Sequence, residues 1–107
     1  MPHRASDVLF RLESVLRERR HAPPGSSYAA SLYAKGLDAV LKKVGEEATE
    51  LVIAAKGEDK THISKEAADL IFHTLVTLAA KNVALADVLA ELERREGTSG
   101  IIEKNSR

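Results

Sequence analysis

Three glutamates in the middle of the sequence have a spacing that suits cation binding. They stand in the run Gly45-Glu46-Glu47-Ala48-Thr49-Glu50, within a segment from Leu37 to Lys56 that otherwise has the apolar periodicity of a buried helix. Carboxylates three and four residues apart on one helix repel one another, and of the nearby lysines only Lys43 falls on the same stripe. The run therefore indicates a site that binds a cation.

A second acidic pair lies on the next predicted helix. Glu66 and Asp69 stand at i and i+3 in the segment from Ile63 to Val83, which is apolar around most of its circumference. The turn between the two helices centres near position 58, so in an antiparallel hairpin both acidic groups lie about 14 Å below the turn, at the helical rise of about 1.5 Å per residue. The sequence thus predicts one metal site formed by four converging carboxylates, those of Glu47, Glu50, Glu66 and Asp69.

The expected ion is a hard divalent cation. Ligation by carboxylate oxygens alone favours Mg²⁺, with Mn²⁺ as a substitute, over zinc. Glu46 is expected to be an outer ligand or a ligand of a second ion. His73 shares a face with Glu66 and Asp69, but we expect it to form a hydrogen bond beside the site, because Mg²⁺ seldom takes imidazole. A solvated acidic face is the better interpretation of the three glutamates by themselves, yet the matching pair across the turn favours the metal site.

The elements that must position these side chains are helices. Apolar spacing and turn signals predict an all-α antiparallel bundle of four to five helices in a single domain over residues 1–107, with two long central helices carrying the metal site. Ser6 is expected to cap the first helix, and Thr61 the second long one. Gly36 interrupts the helical pattern, and the sequence leaves open whether Tyr28 to Lys56 forms one kinked helix or two.

The apolar faces of the two central helices predict self-association. On a helical wheel, eight apolar residues of this segment fill an arc of about 120°, which we expect to be the core face. They are Leu37, Val40, Leu41, Val44, Ala48, Leu51, Val52 and Ala55. Ile53 points away from that arc, and the segment from Ile63 to Val83 carries more apolar surface than three short neighbouring helices can cover. We therefore expect a homodimer or a higher homo-oligomer.

Composition excludes several classes of function. The 107 residues include 16 basic and 16 acidic ones, so the formal net charge is zero and the bulk basic field of a nucleic-acid-binding protein is missing. Cysteine is absent, which excludes disulfides and thiolate metal sites and fits a reducing compartment. No apolar run approaches the roughly 20 residues that span a membrane. The expected location is the cytoplasm.

Several runs of the sequence are similar to a known group of enzymes. The pattern G-E-E-x-x-E followed by E-x-x-D resembles the all-α nucleoside triphosphate pyrophosphatase superfamily, the MazG-like group. Further runs over nearly the full length narrow the resemblance to the phosphoribosyl-ATP pyrophosphohydrolase family of histidine biosynthesis. The most specific runs are Lys35-Gly36-Leu37-Asp38 and Glu103-Lys104-Asn105-Ser106-Arg107, and the others are Ser27-Tyr28, Lys42 to Glu50, Glu66 to Leu70 and Asp87-Val88-Leu89.

The resemblance implies an activity and a set of functional residues. Phosphoribosyl-ATP would be hydrolysed between its α and β phosphates with Mg²⁺, which gives phosphoribosyl-AMP and pyrophosphate. Glu46 or Glu50 is expected to be the catalytic base. The expected phosphate-binding residues are five basic ones: Lys35, Lys42, Lys43, Lys104 and Arg107.

Two alternative functions stay open at the level of sequence. One keeps the chemistry and changes the substrate, as in a house-cleaning pyrophosphatase that acts on free or damaged nucleotides. The other is a helical interaction module without enzymatic activity, whose acidic stripe pairs with a basic partner.

Overall fold

The computed structural model describes residues 4–97, and the regular structure in this range is helical throughout. This confirms the predicted all-α bundle. Single 3₁₀ turns at Ala5–Asp7 and Pro24–Ser26 precede the first two α-helices. The α-helices are α1 (Val8–Arg19), α2 (Tyr28–Lys35), α3 (Leu37–Ala55), α4 (Lys60–Ala80) and α5 (Leu85–Arg95). Within the described range, no helix is both long and apolar enough to cross a membrane.

Gly36 divides the segment that the sequence left undecided into two helices. Its φ of 101° and ψ of 170° belong to a region that residues with a side chain rarely adopt. The chain therefore leaves α2 and enters α3 at a different angle. At the other end of α2, the Ser27 hydroxyl oxygen accepts a hydrogen bond from the Ala30 backbone N–H at 3.0 Å and caps the helix.

Helices α3 and α4 form the central hairpin, joined by the short loop at residues 56–59. The predicted cap at Thr61 is wrong, because Asp59 Oδ1 accepts hydrogen bonds from the backbone N–H groups of Thr61 and His62 at 3.1 and 3.2 Å. An aspartate directly before the first helical residue reaches both unpaired N–H groups. The predicted cap at Ser6 is wrong as well, since α1 begins at Val8 after the 3₁₀ turn.

All five helices contribute to one hydrophobic core. Leu16 of α1, Val40 of α3 and Val76 of α4 are its most completely buried large side chains, with 1%, 1% and 0% exposure. The other buried members of the cluster are Ala29, Leu32, Leu75 and Leu85. The core packs α1, α2 and α5 against the hairpin. The contact between α3 and α4 also includes polar residues.

The buried face of α3 differs from the predicted one. Val40 and Ala54 are buried and the Glu47 side chain is 12% exposed, whereas Leu41 and Val52 are 44% and 62% exposed. The three covered residues are seven apart and so lie in one line along the helix. The packing face is therefore rotated by about 80° from the centre of the predicted arc toward the acidic edge, because the contact with α4 includes a carboxylate that an apolar count ignores.

Two polar contacts attach α1 to the ends of other helices. A Glu13 carboxylate oxygen accepts a hydrogen bond from the Leu85 backbone N–H at 2.8 Å, at the start of α5, where Ala84 offers no side-chain cap. Arg20 Nη1 donates to the Ala79 carbonyl oxygen at 2.8 Å, at the end of α4. The first contact satisfies an N–H group that α5 itself leaves unpaired. The second adds a donor to a carbonyl oxygen that also accepts a hydrogen bond from the Asn82 backbone N–H at 3.1 Å.

Candidate metal centre

Three carboxylates converge where α3 and α4 cross at mid-height. Glu47 of α3 and Glu66 and Asp69 of α4 each offer an oxygen, and these oxygens lie within 4.8 Å of one another. The Glu47 and Glu66 side chains are 12% and 13% exposed, and Asp69 is exposed at the rim. The equal heights expected from the distance of each pair to the turn bring these three residues together.

The residues present fit a hard divalent cation. Glu66 Oε2 is buried and has no hydrogen-bond partner among the described residues. A buried carboxylate oxygen without a partner is costly, and a cation at the point where three carboxylates meet would satisfy it. Carboxylate oxygens are the ligands that Mg²⁺ prefers, and Mg²⁺ needs only a few of them because it keeps several waters.

Two side chains contact the acidic group, and Lys43 offsets part of its negative charge before any ion binds. Lys43 Nζ lies 3.5 Å from Glu47 Oε1, and His62 Nε2 lies 3.4 Å from Glu66 Oε1, each pair at i and i+4 on its helix. Burial lowers the pKa of Lys43, but Tyr28, Glu46 and Glu47 outweigh that effect and raise the pKa above its ordinary value. The raised pKa favours the charged form of Lys43, so its ammonium group lies next to Glu47 as a positive charge.

Glu46 and Glu50 lie outside the group of three. Both are exposed on an adjacent face of α3, where they line an open groove together with Lys42, Thr49 and Ile53. Glu50 follows Glu47 by three residues and is turned away from α4 by about 60°. The structure thus gathers three of the four expected ligands, and the roles of Glu46 and Glu50 stay predictions.

The predicted phosphate-binding residues lie at different distances from the centre. Lys43 contacts Glu47 directly, and Lys42 borders the groove of Glu46 and Glu50. Lys35 is exposed at the end of α2, separated from Glu47 by about 15 Å of α3 axis at the helical rise. Lys104 and Arg107 lie outside the described residues.

Tyr28 is a residue of the site that sequence reasoning did not single out. Its hydroxyl lies 2.7 Å from His73 Nε2, and His73 Nδ1 lies 2.8 Å from the backbone carbonyl oxygen of Asp69. His73 is 5% exposed, which confirms the expectation of a hydrogen-bonded histidine beside the cluster. The signal for Tyr28 was its place in one of the family-like runs, but 45 residues separate it from His73, so only the fold reveals the contact.

The Tyr28 hydroxyl lies within the electrostatic field of the centre. Burial raises its pKa, Lys43 opposes this, and the carboxylates Glu47, Glu46 and Asp69 raise the pKa further. The phenol is therefore kept neutral next to the acidic cluster.

Comparison with known proteins agrees with the geometry. Residues 9–96, which include every residue of the centre described above, match the family described as phosphoribosyl-ATP pyrophosphohydrolase. The chain belongs to the phosphoribosyl-ATP pyrophosphohydrolase family. A protein of Novosphingobium aromaticivorans named phosphoribosyl-ATP pyrophosphatase is 58% identical over 101 residues, which cover 94% of each chain. Proteins with that name from Azoarcus sp. and Geobacter sulfurreducens are 54% and 55% identical over the same share of both chains.

Membership of the phosphoribosyl-ATP pyrophosphohydrolase family makes the protein a hydrolase, and hydrolysis of a phosphoanhydride bond in general uses a divalent metal ion to neutralise phosphate charge. The cluster of Glu47, Glu66 and Asp69 lies in the matched range and is suited to hold such an ion.

Proposed function

We propose that this protein hydrolyses phosphoribosyl-ATP to phosphoribosyl-AMP and pyrophosphate, the second step of histidine biosynthesis. The observation that carries the proposal is the convergence of Glu47, Glu66 and Asp69 within 4.8 Å, inside the range that matches the family. The relatives that cover almost the whole chain bear names of this activity. We further propose that the entire chain is one catalytic domain that works in the cytoplasm.

The chain's own residues have distinct tasks in this reaction. Glu47, Glu66 and Asp69 would hold a Mg²⁺ ion, or Mn²⁺ in its place, which when bound would neutralise triphosphate charge and favour departure of pyrophosphate. The Lys43 ammonium, next to Glu47, adds positive charge where phosphate oxygens approach. Glu46 or Glu50 accepts the proton of the attacking water, since both are exposed beside the cluster.

Selectivity for phosphoribosyl-ATP requires groups beyond the metal ligands. The acidic cluster would contact only the triphosphate, which every nucleoside triphosphate has. The phosphate on the additional ribose of phosphoribosyl-ATP must therefore be recognised by other residues. We propose that basic residues supply this recognition, chosen from Lys35, Lys42, Lys43, Lys104 and Arg107.

We also propose that the protein is a homodimer or a higher homo-oligomer. Val52 and Ile53, adjacent on α3, are 62% and 66% exposed, and Ile71 on α4 is 48% exposed. Large apolar side chains on the outside of both central helices favour contact with a second copy. This contact would cover the edge of α3 that the hairpin leaves open.

The test is a hydrolysis assay that compares phosphoribosyl-ATP with ATP and dUTP, in Mg²⁺, in Mn²⁺ and in EDTA. We expect turnover of phosphoribosyl-ATP that depends on metal and exceeds turnover of the two simple nucleotides. Preference for ATP or dUTP would support the house-cleaning alternative, and no turnover of any nucleotide would support the interaction module.

A further inference from the structure

His73 is a buried polar residue in the part of the chain described here, with 5% exposure. Its two ring nitrogens contact different kinds of group, the Asp69 backbone carbonyl at Nδ1 and the Tyr28 hydroxyl at Nε2. A carbonyl oxygen can only accept a hydrogen bond. Nδ1 must therefore carry a proton and donate it to Asp69.

This first hydrogen bond decides the direction of the second. In a neutral imidazole, a proton on Nδ1 leaves Nε2 with a lone pair. The contact of 2.7 Å between Nε2 and Tyr28 is then made by the phenol proton, which Tyr28 donates. The hydroxyl proton of Tyr28 is thus donated to His73, and the phenol oxygen can only accept hydrogen bonds from other partners.

Tyr28 is a partly exposed residue beside the acidic centre. The residue is 51% exposed, although its ring packs against Phe72 and His73 at centroid distances of 6.2 and 5.7 Å. These contacts fix the ring while one side faces solvent next to the acidic centre. Carboxylate oxygens and ionised phosphate oxygens are acceptors and cannot bond to a phenol oxygen whose proton is already donated.

We propose that Tyr28 positions a hydroxyl-bearing ligand at the centre, in that its oxygen accepts a hydrogen bond from an O–H group and makes no bond to phosphate. This inference rests on the proposed function. Two O–H groups satisfy the requirement during hydrolysis at the α-phosphorus: a ribose hydroxyl of the ATP half of the substrate, and the attacking water. The competing donor within the chain is the Lys43 ammonium, which would make Tyr28 a structural partner only.

The first experiment tests the direction of the hydrogen bonds without any substrate. Nitrogen-15 NMR of the full-length protein distinguishes a protonated ring nitrogen from one with a lone pair. We expect His73 to show a protonated Nδ1 and an unprotonated Nε2, and we expect the Nε2 signal to shift in Tyr28→Phe. A protonated Nε2 would mean that the phenol accepts from His73, which overturns the proposal.

The second experiment measures turnover of phosphoribosyl-ATP and of its 2′-deoxy and 3′-deoxy counterparts by Tyr28→Phe. Tyr33→Phe is the matched control, because Tyr33 is also on α2 and donates its hydroxyl proton to the Leu16 carbonyl oxygen at 3.0 Å. We expect kcat/KM of Tyr28→Phe to fall by about tenfold, the usual worth of one such hydrogen bond. We expect Tyr33→Phe to keep the wild-type value.

The deoxy substrates distinguish the two sources of the O–H group. If the partner is a ribose hydroxyl, Tyr28→Phe has a higher KM for phosphoribosyl-ATP than the wild type. With the deoxy substrate that lacks this hydroxyl, Tyr28→Phe and the wild type then have the same kcat/KM. If the partner is water, kcat falls, KM is unchanged and the loss is the same for all three substrates. Equal kinetics of Tyr28→Phe and Tyr33→Phe overturn the proposal.

Binding of Mg²⁺ alone, measured by calorimetry, is the last control. Tyr28→Phe should bind Mg²⁺ as tightly as the wild type, and a parallel loss of Mg²⁺ affinity and activity would show a structural role instead. Failure of the proposed function looks different, since wild-type protein would then leave phosphoribosyl-ATP intact.

Discussion

Replacement of Glu66 by glutamine tests the metal centre through stability as well as activity. Glu66→Gln keeps the size of the side chain and removes one negative charge from the group formed with Glu47 and Asp69. Without metal, the wild type holds three carboxylates within 4.8 Å of one another. The variant should therefore be more stable than the wild type in EDTA, and it should lose metal-dependent activity.

The magnitude follows from the distance. Two unit charges at the 4.8 Å limit repel by about 3.5 kcal/mol at an effective dielectric constant of about 20. The nearby Lys43 already offsets part of the repulsion. We expect Glu66→Gln to raise the free energy of unfolding by about 1–3 kcal/mol in EDTA, which corresponds to at least about 4 °C in Tm.

Added Mg²⁺ should reduce the stability difference between Glu66→Gln and the wild type. An ion that binds only the folded protein stabilises it by about 2.7 kcal/mol at 100 times Kd. The wild type gains this amount, whereas the variant with two carboxylates gains less. The advantage of Glu66→Gln over the wild type should therefore shrink by up to about 2.7 kcal/mol between EDTA and saturating Mg²⁺.

The assay is thermal unfolding of both proteins over a Mg²⁺ titration, with Glu58→Gln as the matched control. Glu58 is exposed in the loop between α3 and α4, outside the acidic cluster. The reasoning is refuted if Glu66→Gln and Glu58→Gln change Tm equally in EDTA and respond equally to Mg²⁺. Full hydrolytic activity of Glu66→Gln would also remove this residue from the centre.

Three further predictions concern the rest of the chain. Ile53→Glu should shift sedimentation toward the monomer, while Ala86→Glu on the exposed side of α5 should not, and a monomeric wild type at micromolar concentration would contradict the proposed assembly. Glu13→Ala removes the acceptor of the Leu85 N–H and should lower the free energy of unfolding in urea by about 1–2 kcal/mol, the usual cost of a lost cap; an unchanged midpoint would show that water replaces it. Deletion of residues 99–107 should lower kcat/KM for phosphoribosyl-ATP more than tenfold, by about 1.4 kcal/mol or more, without a change in Mg²⁺ affinity, and wild-type turnover would exclude a binding role for Lys104 and Arg107.

The sequence predicted the helices and the height at which Glu47, Glu66 and Asp69 meet, because both follow from counting residues. Helical rise and a short turn decide which residues of two antiparallel helices meet, so Glu47, Glu66 and Asp69 could be paired without a structure. Rotation about the helix axis does not follow from counting. Glu50 was expected at the centre because it is acidic, but the packing face of α3 is centred near Glu47, and a residue three positions further on turns away.

Contacts between distant parts of the chain could not be predicted. Ala84 offers no side-chain cap at the start of α5, and Glu13 provides the acceptor from α1, 72 residues away. Tyr28 reaches His73 across 45 residues. Each contact depends on the relative placement of two helices, which local propensity does not contain.

Gly36 links the α2 helix of Tyr28 to the α3 helix of Lys43 and Glu47, and its requirement is one of chirality. A Cβ at this position would have open space around it, with no heavy atom within 4 Å, so crowding does not exclude a side chain. The angles of 101° and 170° are unfavourable for an L-residue, but their mirror image is ordinary extended backbone. L-alanine should therefore strain the junction, whereas D-alanine, introduced by chemical ligation, should fit it and restrict the unfolded chain. The junction between the two helices that frame the centre thus depends on the lack of an L-configured side chain at a single α-carbon.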